Sequence, residues 1–258
     1  MGDDPLFGSR TKIERAKQHL RDLDACMKAF TASDPYPLGS KFDEQTGLHQ
    51  LYVERLTPIP SMAPAIIGDI VHNLRSALDH LAYRLVFKGT SGVGILTKNG
   101  GNPFQHVYFP IFDDVHKYEA RKVGQIKGMS KPAIDAIDRI KPYKGGNDTL
   151  WRLHRLNNID KHRLLVVVAA QFQGFYLDTG WLIPNIPIRG QKFVPVEAGA
   201  ILFSATPQVI KQMGNKVELS LEMAFFEPEI VEGEPIRPTL VQMIDLTENL
   251  ISSIGAHA

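Results

Sequence analysis

The stretch PAIIGDIVHNLRSALDHLAYRLV, Pro64 to Val86, decides the architecture. Ile67, Ile70, Val71, Leu74, Leu78, Leu81 and Leu85 recur at steps of three and four. At about 100° per residue they fall on one side of a helix. His72, Asn73, Arg75, Ser76, Asp79, His80 and Tyr83 fall on the other. A long helix is expected here, with one side in a core and the other carrying chemistry.

Outward from it, Thr11 to Phe30 has helical spacing through Ile13, Ala16, Leu20, Leu23 and Met27. Thr31 to Glu44 is rich in Pro, Gly, Ser and Asp and reads as a loop. Leu48 to Leu56 reads as a strand, closed by Thr57-Pro58-Ile59-Pro60. Gly89 to Gly101 is a Gly-rich loop that lacks the Gly-Lys-Ser/Thr ending of a phosphate loop. Val107 to Phe112 is expected to be a short edge strand, because Pro110 cannot donate to a ladder. Helices follow at Val115–Gln125, Lys131–Ile140 and Thr149–Lys161, the last capped by Asn147 or Asp148.

From Leu164 the period shortens. Strands are expected at 164–172, 175–182, 192–196, 200–205 and 217–226, then a closing helix at 238–254. The order implies an α+β fold: a helical core with an appended antiparallel sheet and a C-terminal helix. Two regions are expected: 1–163, mainly helical, and 164–258, the sheet with the closing helix. One compact domain is the alternative.

Of the 258 residues, 43% are hydrophobic and 22% charged, which excludes disorder and collagen. The lone Cys26 excludes an internal disulfide and a Cys-rich zinc site. The longest aliphatic run, Leu164 to Ala170, is far shorter than the ~20 residues of a membrane span. Residues 1–10 carry Asp3 and Asp4 and no apolar run, so neither a signal peptide nor membrane attachment is expected, and a cytoplasmic location is. The net charge of +1 conceals +7 over residues 121–163 and −6 over residues 197–258. A basic middle attracts anions, phosphate among them, unless it simply faces water.

Two polar segments concentrate reactive side chains: His72 to His80, and Trp151 to Arg163. The first offers Asn73, Arg75, Asp79 and His80; the second offers Arg152, Arg155, Asn158, Asp160, Lys161 and His162. These residue types serve proton transfer and stabilisation of phosphoryl charge. Arg75 and Asp79, four apart, share a helix face and can pair. His80 lies about 140° around the helix from Arg75, so the two would flank the polar face.

Arg75 and His80, with four residues between them, resemble the Arg–x4–6–His signature of HEPN ribonucleases, and Arg155 with His162 falls within the same spacing. The stretches HNLRSALDHLA and NNIDKHRLL also resemble an uncharacterised family of bacterial proteins, over roughly residues 66–166, without implying an activity. The HEPN resemblance implies metal-independent RNA cleavage by a helical homodimer, without cofactor, of the kind found in toxins and antiviral effectors. Arg75 would stabilise the phosphorane charge, His80 would move the proton, and Asn73 and Asp79 would orient them. Lys161, Arg152 and Tyr143 are the candidate RNA contacts, Tyr143 by stacking on a base between Lys141 and Lys144.

Two other readings of the same residues stand beside the endoribonuclease. The polar faces can form a structural network in a noncatalytic binding or scaffold protein, for example Asp79 with Arg155 or Asp160 with Arg75. A metal-dependent hydrolase would need at least three of His72, Asp79, His80, Asp160 and His162 at one point. No His-x3-His pair favours it.

Overall fold

The computed structural model describes residues 4–95, 101–176, 182–183, 197–209 and 218–258. Their elements, in chain order, are α1 (Phe7–Thr31), β1 (Leu38–Asp43), β2 (Leu48–Val53), α2 (Met62–Gly89), α3 (Val115–Ile126), α4 (Lys131–Ile140) and α5 (Asp148–Asp160). Then come β3 (Val167–Tyr176), β4 (Leu182–Ile183), β5 (Ile201–Ala205), β6 (Glu218–Phe225) and α6 (Ile236–Ile254). The fold is α+β. None of the described helices is long and apolar enough to cross a membrane.

The chain forms two compact units. The first takes Met1–Leu23, Ala65–Leu165 and Pro238–Ala258; the second takes Asp24–Pro64 and Val166–Arg237. The division is therefore not a single cut near 163. The closing helix groups with the helical unit, and the 38–53 hairpin groups with the later strands.

The first unit is built on α2. Ile67, Ile70, Leu74, Leu78, Leu81 and Leu85 are all essentially fully buried. Burial of each such side chain stabilises by roughly 1.5–3 kcal/mol. Ile13 and Ala16 of α1, Ile137 of α4, Leu150 and Leu153 of α5, and Leu240 and Ile244 of α6 complete the core. Caps fix the helix starts: the Asp114 carboxylate accepts from Lys117 N–H at 2.8 Å, and the Asn147 carbonyl from Leu150 N–H at 3.1 Å. Helix α4 ends where Lys141 turns left-handed, at φ 54°.

The second unit holds two three-stranded antiparallel sheets, ordered β1-β2-β5 and β4-β3-β6. In the hairpin of β1 and β2, the Asp43 carboxylate holds the turn by accepting from Gln45 N–H at 3.0 Å and from the Thr46 hydroxyl at 2.8 Å. Strand β1 lies in the stretch expected to be loop. Its residues are poor strand formers, and the antiparallel partnership from Leu38–Val53 to Asp43–Leu48 sets it. The strands expected at 164–172 and 175–182 are one strand as far as Tyr176. Val107 to Phe112 is not a strand; only Phe112 bridges, to Tyr143. The strand expected at 192–196 lies outside the described residues.

Candidate functional site: a cationic cleft in the helical unit

Three helical stripes and one irregular segment of the first unit enclose a cleft of about 420 Å³. Helix α2 contributes His72, Arg75, Ser76 and Asp79, spaced i, i+3, i+4, i+7 along one face. Helix α5 contributes His154, Asn157, Asn158 and Lys161 at the same spacing, with Arg155 beside them. From α3 come Lys117, Arg121 and Gln125, one per turn. Residues between Tyr108 and Asp113 form the remaining wall.

That irregular wall is tied to α2 by two hydrogen bonds and an ion pair. Arg75 Nη2 donates to the Phe109 carbonyl at 2.8 Å and lies 3.0 Å from Asp79 Oδ1 as an ion pair. The Phe109 N–H in turn donates to Asp79 Oδ1 at 2.9 Å. Burial acts against both charges, pushing the Asp79 carboxyl up and the Arg75 guanidinium down, while each charge steadies the other. The α3 wall is anchored by Tyr118, whose hydroxyl donates to Asp138 of α4 at 2.5 Å, and by Lys122, which pairs with the same carboxylate at 2.8 Å. Asp113 joins the α3 and α5 walls. It pairs with Lys117 at 3.0 Å, accepts from Trp151 Nε1 at 3.3 Å and lies 3.9 Å from Arg155, and the Lys117 bond above all holds its carboxyl below the usual range.

The cleft is electropositive. Arg75, Lys117, Arg121, Arg155 and Lys161 line it against only Asp79 and Asp113. The His154 pKa is brought down to about 4, chiefly by burial and then by the nearby Arg75 and Lys161 charges, so its ring is neutral at pH 7. The Asn158 amide nitrogen lies 3.0 Å from His154 Nε2. An amide N–H donates, so Nε2 accepts and the ring proton sits on Nδ1.

Buried polar atoms normally find partners, and each one left without costs ~1–3 kcal/mol. Among the described residues six buried side-chain atoms have none, and five of them belong to residues lining this cleft. Three are donors: Arg75 Nη1, His154 Nδ1 and Arg155 Nε. Two are acceptors, Gln125 Oε1 and Asn157 Oδ1. Arg75 is 7% exposed and Asn157 2%, so both are buried.

Of the site residues expected from the sequence, the structure thus gathers Arg75, Asp79, Arg155, Asn158 and Lys161 in the cleft, and leaves Asn73, His80, Asp160, His162, Arg152 and Tyr143 outside it. His80 is exposed, and its ring packs against Gly8 of α1, where any side chain would overlap it. Asn73 donates to its own helix at Asp69 O (2.8 Å) and accepts from Lys12 of α1 at 3.4 Å. The Asp160 carboxylate packs on Gly68 of α2, its pKa raised by burial and by Asp69. His162 is exposed in the turn after α5, and Arg152 is not a cleft residue. Tyr143 is half-buried, its ring 5.5 Å from that of Tyr118, as part of the packing.

Lys117, Arg121, Gln125, His154 and Asn157 were not among the residues expected from sequence. For His154 and Asn157 the signal that could have found them is the i, i+3, i+4, i+7 spacing with Asn158 and Lys161, matched to that of α2; the α3 residues carry no such signal. Among the described residues no three His, Cys, Asp or Glu side chains converge as a metal would require. No family model, curated protein or solved structure matches this chain.

Proposed function

We propose that the protein binds a phosphate-bearing ligand in the cleft between α2, α3 and α5. The observation that carries this is the concentration of five buried, unpartnered polar atoms in a cleft with three more cations than carboxylates. Three surplus charges match a phosphomonoester, which carries about −1.5 to −2 at pH 7 with three acceptor oxygens. A carboxylate would balance only one. Guanidinium groups with N–H donors already oriented suit phosphate oxygens.

The test is calorimetric titration with inorganic phosphate and pyrophosphate. Binding should weaken about tenfold in each of Arg121→Ala and Lys161→Ala, a change of ~1.4 kcal/mol, and should weaken with added salt. Equal heats for wild type and both variants would overturn the assignment.

A second reading, an endoribonuclease acting at the same cleft, is favoured by Arg75 standing there beside a neutral histidine. His80 does not line the cleft, so His154, with Nε2 released from Asn158, would take the proton from the ribose 2′-OH and return it to the departing 5′-oxygen. Mixed RNA in EDTA decides it. Termini ending in 2′,3′-cyclic phosphate, absent with His154→Gln, support cleavage; intact RNA removes it.

A further inference from the structure

We infer that the phosphate of the ligand is joined to a hydroxylated moiety, a sugar phosphate taken up either free or as part of a nucleoside monophosphate. This rests on the phosphate-binding reading of the same cleft and goes further, to what else the ligand carries.

The two unpartnered acceptors make the case. Gln125 Oε1 on α3 and Asn157 Oδ1 on α5 are buried beside the cationic groups. The phosphate group of a phosphomonoester near neutral pH, mostly dianionic, offers oxygens to the three unpartnered donors but almost no hydrogen to the two acceptors. The rest of the ligand must donate. A cationic amine is a poor donor here, because the surplus of lysine and arginine repels it. The two carboxylates that would attract it are engaged, Asp79 by Arg75 and the Phe109 amide, Asp113 by Lys117. Neutral hydroxyls remain, and a sugar carries several within reach of one phosphate.

Size and lining agree. A cleft of about 420 Å³ lies within the ~300–1,000 Å³ range of small-molecule sites and exceeds what a lone phosphate fills. Tyr108, 47% exposed, and Phe112 give its non-helical wall flat apolar surface, suited to the C–H face of a sugar or to a base.

The full chain would be titrated calorimetrically with ribose 5-phosphate, adenosine monophosphate, inorganic phosphate and ribose. Both organic phosphates should bind at least tenfold more tightly than inorganic phosphate, and ribose alone should give no heat. Gln125→Met, a change on the largely exposed helix α3, should lower the affinity for both organic phosphates about tenfold and so erase their preference over inorganic phosphate. Adenosine monophosphate above ribose 5-phosphate would assign the nucleotide as the source; equal binding would assign the free sugar phosphate. Inorganic phosphate binding as tightly as both would overturn the inference while leaving the phosphate site standing. If no phosphate probe binds, the site itself fails and the inference with it.

Discussion

The two polar sides of helix α2 behave differently. Toward α1, the contacts are closed: Ser9 Oγ donates to Ala77 O at 2.9 Å, Lys12 reaches Asn73, and His80 packs on Gly8. Toward α3 and α5, the Arg75 guanidinium donates to the Phe109 carbonyl and pairs with Asp79 yet leaves Nη1 without a partner, and four further atoms of cleft-lining residues share that condition. Residue type does not separate the two sides, since each has asparagine or aspartate with a cation and a histidine. What separates them is whether the hydrogen bonds are complete. A completed set holds helices together; an incomplete, buried set of one charge sign is arranged for something outside the chain.

The largest effect that could break this contrast is at Arg75. Arg75→Ala removes one partner of a buried pair and strands Asp79 and the Phe109 carbonyl, so urea unfolding should show a loss of about 3–5 kcal/mol. A loss below ~1 kcal/mol would mean that these contacts do not hold the cleft wall. Replacing both charges, Arg75→Met with Asp79→Leu, should remove the cost of the unpaired carboxylate but leave the Phe109 N–H and carbonyl without partners, so it should recover only part of the stability and none of the phosphate binding.

Next in size is the pH dependence from His154. The unfolded histidine takes up its proton near 6.5 and the folded one near 4, so between these values the unfolded state holds more protons. Stability should fall as pH drops through that window, by up to about 3 kcal/mol, and level off below it. Denaturation curves of His154→Gln should be flatter over the same range; an unchanged slope would remove the neutral buried ring from the account. The smallest effect belongs to the α1 side. Asn73→Ala should cost about 1 kcal/mol and leave phosphate affinity as it was. A loss of affinity there would erase the distinction between the two sides.

Much of the fold was legible in the sequence. The apolar period of Ile67 to Leu85 marks a helix from any viewpoint, and α4 begins and ends where the pattern of Lys131 to Ile140 does. Strand β1 was not legible, because Leu38 to Asp43 becomes a strand only through its partner. The site was half legible. Composition singled out Arg75, Asp79, Arg155 and Lys161, but the polar side of α2 was treated as one surface. Residues 72, 75, 76 and 79 form one stripe, while 73 and 80 form another, and only the neighbouring helices decide which stripe meets which. Lys117, Arg121 and Gln125 lie in a helix with only Tyr118 and Ile126 buried, so nothing local marks them as a wall.

One small contact joins two walls of the cleft from outside it. Asp160, at the end of α5, approaches α2 where Gly68 has no side chain, so closely that a single methyl would collide with it. Two walls of the cleft thus also touch at a point outside it, where a side chain of one fills the place of an atom the other lacks. Lys161 follows directly on that contact. An added methyl at position 68 would meet the far end of the Asp160 side chain, and that carboxylate would have to turn aside to admit it.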